Sequence, residues 1–78
     1  MSYCRFGWEG SDVYVIPTAR GFECVACAAP TFDADVIVAH LEQHIADGHT
    51  VPDRVIPRIR EDNSTDRYGW RASNQEAR

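Results

Sequence analysis

A small α+β fold is what this 78-residue chain predicts, on three observations. Short β-branched and aromatic runs, separated by turn residues, fill the first 25 positions. The pattern then changes to apolar residues recurring at three and four positions. Two cysteines and two histidines fall in closely spaced pairs across the junction between these regions. The length allows one domain. At roughly 25 cal/mol per Å² of apolar burial against about 1.5 kcal/mol per ordered residue, a core this small comes out near zero, so a staple is expected.

The elements are justified in order. In Tyr3-Cys4-Arg5-Phe6-Gly7-Trp8, alternation puts Cys4, Phe6 and Trp8 on one face of a first strand. Glu9-Gly10-Ser11-Asp12 has turn chemistry. Val13-Tyr14-Val15-Ile16 is β-branched and aromatic, a second strand. Pro17 to Gly21 reverse the chain, and Phe22-Glu23-Cys24-Val25 is a third strand, completing an antiparallel β-meander.

Beyond Pro30 the period becomes helical. Ile37, His40, Leu41, His44 and Ile45 share one helix face, Thr31 or Asp33 can cap its start, and Gly48 can stop it, predicting a helix over 34–47. Thr50-Val51-Pro52-Asp53 opens a short C-terminal helix striped by Val55, Ile56 and Ile59, which Pro57 is expected to kink or restart. From position 63 the chain is polar and almost without periodicity. The expected organisation is a single domain over 1–62 and a polar tail over 63–78, disordered in isolation.

Charge is unevenly spread. Residues 1–53 carry two arginines against eight acids, a net −6, while residues 54–78 carry six arginines against four acids, a net +2. The absence of an apolar run near 18 residues excludes a membrane-spanning helix. The first residues lack the layout of a signal peptide, so a reducing cytoplasm is the expected location. There, three cysteines point to metal binding or free thiols rather than disulfides.

The motif that carries chemistry is Cys24-x2-Cys27-x12-His40-x3-His44. A two-residue spacer lets two thiolates converge from one tight turn, and histidines four apart leave a helix on the same side. Zn²⁺ prefers four such nitrogen and sulfur donors in a tetrahedron, so Cys24, Cys27, His40 and His44 are the expected ligands of one structural Zn²⁺. The histidines alone would be ordinary residues of an apolar helix face; the cysteine pair changes that reading. A redox knuckle would need a strand–CxxC–helix unit, which is not visible here. His49 is an alternative ligand in place of His40 or His44. Cys4 is read as a small buried apolar residue and Trp8 as a packing residue. For Trp70, packing and binding both stay open.

Residues 22–44 resemble a C2H2 zinc finger, a ββα unit with cysteines on the hairpin and histidines on the helix. Phe22 and Ile37 stand where that family keeps core residues, while Phe32 stands one place late for its second aromatic. The resemblance implies a zinc-stapled finger core over 22–48. Met1-Ser2-Tyr3-Cys4-Arg5-Phe6, with Ser11-Asp12-Val13-Tyr14-Val15, also resembles small accessory proteins of tailed phages of actinobacteria, and the all-arginine basic set fits that.

Fingers of this type read bases from helix positions that fall here on Asp33, Val36 and Ala39, none able to make bidentate contacts to purines. Asp35, Glu42 and Asp47 would repel phosphate. A closed four-donor site leaves no position for an activated water, so an enzyme is not expected. The expectation is a zinc-stapled interaction module for a host or phage protein. The alternative is a nucleic-acid-binding regulator using the arginines between positions 54 and 71.

Overall fold

The computed structural model describes residues 2–27 and 30–70. It is a small α+β fold, in which a two-stranded antiparallel sheet precedes two helices. Strand β1 is Val15–Thr18 and β2 is Gly21–Cys24, with Val15 opposite Cys24 and Thr18 opposite Gly21. The Thr18 hydroxyl closes the two-residue turn, accepting from the Arg20 N–H and donating to the Gly21 carbonyl, both at 3.0 Å. Gly21 has φ +107°, and a Cβ there would collide with the Thr31 carbonyl. Only glycine meets both demands.

β1 begins two residues later than expected and runs through Pro17. The ladder tolerates this because Phe22, opposite Pro17, turns its N–H and C=O to Thr31 on its other side, at 2.8 and 2.9 Å. That bridge also brings the chain back across the sheet towards the first helix.

The expected first strand is reduced to one bridge, Cys4 to Val15, with Tyr3 N–H donating to the Val15 carbonyl at 2.8 Å. Gly7 at φ +84° and Glu9 at φ +54° then break the alternation, and Trp8–Gly10 coil into a 3₁₀ turn closed by Ser11 N–H on the Trp8 carbonyl at 2.8 Å. Cys4 is buried, with its thiol 3.6 Å from the Val13 carbonyl, as a small core residue would be. Phe6 and Trp8 leave its face and stand 55% and 47% exposed. Trp8 lies under the Arg5 guanidinium at 5.0 Å rather than in the core.

Helix α1 is Ala34–Ala46, and the Asp33 carboxylate caps it by accepting the Asp35 N–H at 2.9 Å. Its Ile37, Val38 and Leu41 are buried with Phe22, Val13, Val15 and Cys24. Ile45, expected on the same stripe, is 49% exposed, because the core ends at Leu41 and the last turn faces the cysteine knuckle instead. Gly48 follows at φ +91°.

Helix α2 is Val55–Thr65, starting later than expected and continuing past position 62. Pro57 does not kink or restart it. As third residue of the helix it needs no intrahelical acceptor for an N–H, so its ring costs nothing there. Val55 and Ile59 seal the core, and Ile56 packs at its margin. Trp70 meets Phe22 edge-on at 4.8 Å and stacks on Tyr68 at 5.0 Å, a packing role. Residues 71–78 of the expected tail lie outside the described residues.

A polar cluster ties the two ends of the core. The Tyr3 hydroxyl donates to the buried Asp62 carboxylate at 2.7 Å, and Arg58 and Arg67 lie 3.7 and 3.6 Å from the other carboxylate oxygen. Arg54 donates to the Tyr3 carbonyl at 2.7 Å. Asp12 and Thr50 exchange two hydrogen bonds, at 2.7 and 2.8 Å, fixing the segment between the helices to the N-terminal loop.

Candidate metal centre

Cys24 ends β2 and is buried, whereas Cys27, three residues on, is exposed. The Cys27 N–H donates to the Cys24 carbonyl at 3.1 Å, closing the turn that aims both sulfurs one way. His40 and His44 stand one turn apart on α1, with ring centroids 4.7 Å apart and planes nearly perpendicular. The packing of Ile37 and Leu41 under Phe22 holds this part of α1 over the knuckle.

The structure brings all four residues together: one donor atom from each lies within 4.8 Å of every other. His44 Nε2 is 3.8 Å from Cys24 Sγ, 3.7 Å from Cys27 Sγ and 3.1 Å from His40 Nε2. Bond lengths of about 2.3 Å to sulfur and 2.0–2.1 Å to nitrogen in a tetrahedron place S···N at about 3.5–3.6 Å and N···N at about 3.3–3.4 Å. The three separations from His44 lie within a few tenths of an ångström of these values, and the four residues could hold a metal ion. Their arrangement has the geometry of a zinc finger.

Electrostatics point the same way. Burial pushes the Cys24 thiol up from its ordinary value, and the neighbouring Cys27 adds to that. Both effects hold the Cys24 thiol in its neutral form, which a cation bound at the site would reverse. Burial pulls His44 down, helped by the nearby His40 and His49 and opposed by Asp47, favouring the neutral imidazole that a metal needs. A shallow cleft of about 210 Å³ lined by Cys27, His40, Gln43, His44 and Asp47 leaves the site open to solvent on one side.

His49 is not a fifth member of the group. Its Nδ1 lies 2.9 Å from His44 Nδ1, on the opposite edge of the ring from the cysteines. The sequence offers it as a substitute ligand, but Gly48, where the helix should end, already sets it apart from the face of His40 and His44. The Tyr3–Asp62 pair had no local signal, since its members are 59 positions apart.

Among the described residues, no helix is long and apolar enough to cross a membrane. Comparison of the chain with models of known families, with curated proteins and with solved structures finds no match in any of the three, so nothing there supports the phage resemblance.

Proposed function

We propose that this chain is a small zinc-binding interaction module, in which Cys24, Cys27, His40 and His44 hold one structural Zn²⁺ and the stapled fold presents a surface to another protein. The carrying observation is the convergence of two sulfurs and two imidazole nitrogens within 4.8 Å of one another, with the three distances from His44 near tetrahedral values. A bound Zn²⁺ supplies a cross-link between the hairpin and α1, contributing on the order of 10–16 kcal/mol to folding in comparable peptides. Four protein donors fill the tetrahedron, which supports a structural rather than a catalytic role.

The interaction reading draws on charge and exposure. The outward side of α1 carries Asp35, Val36 and Glu42, unsuited to phosphate. Arg54, Arg58, Arg60 and Arg67, which a nucleic-acid binder would use, face Glu9, Asp62, Asp35 and Asp62 respectively. Phe6 and Trp8 are the largest apolar groups left in water near the N-terminal turn. A host or phage protein as the partner rests on the sequence resemblance.

Protein purified without added zinc should carry about one equivalent per chain, and a chelator should unfold it, read by circular dichroism. A fully folded, metal-free protein would end this reading. Binding to any identified partner should persist at high salt, whereas a phosphate-driven complex weakens steeply.

A further inference from the structure

We infer that His49 is a positioning residue for His44: its Nδ1 accepts the Nδ1–H of His44 and so holds the ring with Nε2 turned to the metal. The inference rests on the zinc-binding reading above and adds a residue to it.

The geometry carries the assignment. α1 ends at Ala46, and Gly48 at φ +91° folds the chain back, so that the His49 N–H donates to the His44 carbonyl at 2.9 Å. This return places the two rings with centroids 5.1 Å apart and their Nδ1 atoms 2.9 Å apart. The other nitrogen of His44, Nε2, faces Cys24, Cys27 and His40. A neutral imidazole that ligates through Nε2 carries its proton on Nδ1, so at the His44–His49 contact His44 must be the donor and His49 the acceptor. His49 then carries its own proton on Nε2.

The consequence is rotational and electronic. His44 is only partly buried. A fixed acceptor on Nδ1 removes one of the two tautomers, keeps the Nε2 lone pair directed at the knuckle, and raises its basicity. The role differs from ligation: His49 lies against the far edge of the ring and stands outside the four-donor group.

The test is a competition titration of Zn²⁺ against a chromophoric chelator at one fixed pH, for wild type, His49→Ala, His49→Phe, His49→Asn and His44→Ala. Long-range ¹H–¹⁵N spectra of the imidazoles accompany it. In asparagine the side-chain oxygen stands as many bonds from the backbone as Nδ1 does, so His49→Asn keeps an acceptor without a metal-binding ring; phenylalanine keeps the ring without the acceptor. Alanine and phenylalanine should weaken zinc binding by about 10–100-fold, with asparagine within about threefold of wild type. The His44 Nδ1–H signal should persist in wild type and His49→Asn and exchange away in the other two. Wild-type affinity in His49→Ala and His49→Phe would overturn the positioning role while leaving the zinc site intact. Loss of zinc in His49→Ala as complete as in His44→Ala would make His49 a ligand and overturn it too. A wild-type protein that takes up no zinc would sink the site and this inference together, and that arm is read separately.

Discussion

Tyr3→Phe removes one oxygen from the core and tests the polar cluster that joins the N-terminal segment to α2. The ring should keep its place 5.9 Å from Phe22, so the change isolates the hydroxyl. That hydroxyl donates to the buried Asp62 carboxylate at 2.7 Å, while Arg58 and Arg67 stand at the looser distances of 3.7 and 3.6 Å. A hydrogen bond to a charged group contributes about 1.5–3 kcal/mol, and the carboxylate keeps its arginines, so a loss of about 2 kcal/mol is expected. For a domain of this size that corresponds to roughly 8–16 °C in Tm. The pH dependence gives a second, independent readout. Burial, reinforced by the bond to Asp62, raises the Tyr3 phenol far above its ordinary value. Above pH 10 the unfolded chain releases this proton and the folded chain keeps it. Stability should therefore be full below about pH 10 and fall above it by up to about 1.4 kcal/mol per pH unit. Tyr3→Phe should remove that alkaline slope. The assay is thermal unfolding at pH 7, for Tm, and urea unfolding across pH 7–11, for the slope, both on the zinc-saturated protein. Unchanged Tm together with an unchanged alkaline slope would refute the reasoning.

Three further outcomes follow from particular contacts. Cys24→Ser or His40→Ala leaves three of the four donors, and should drop zinc well below one equivalent by metal analysis, with most of the far-ultraviolet signal lost. Gly21→Ala should cost more than about 1–2 kcal/mol from the positive φ alone, before the collision with Thr31 is counted, measured by chemical denaturation. Pro57→Ala should change stability by no more than about 1 kcal/mol, in the destabilising direction, because the ring sits in the first turn of α2 and restrains the unfolded chain. A gain of about 3 kcal/mol, as for a proline relieved from a helix interior, would contradict that placement.

Two side-chain groups of different origin bring separate elements together. The Cys/His group joins β2 to α1 across a short stretch of sequence, and Asp62 with Tyr3 and Arg54 joins α2 to the first residues. The first was legible because chelation depends on spacing: two donors in a turn and two on one helix face are each local patterns. The second was not, because its partners meet only after the whole core between them has formed. Helix α1 was likewise legible from its cap, its apolar period and Gly48, all within fifteen positions.

The sequence by itself determined the fold class, the position of α1 and the four residues that come together around a possible metal, because turn chemistry, helical period and ligand spacing act over a few neighbouring residues. Tertiary structure decided the rest. It reduced the first strand to one bridge, since Gly7 and Glu9 coil the chain and Val15 pairs with Cys24 on its other side. It placed Pro57 in the first turn of α2, where a proline does no harm, by setting where that helix begins against the core. It placed His49, which Gly48 already set outside the ligand face, against the far edge of the His44 ring. Each of these depended on which partners a backbone or side-chain group meets across the fold, and such contacts leave no mark in local spacing.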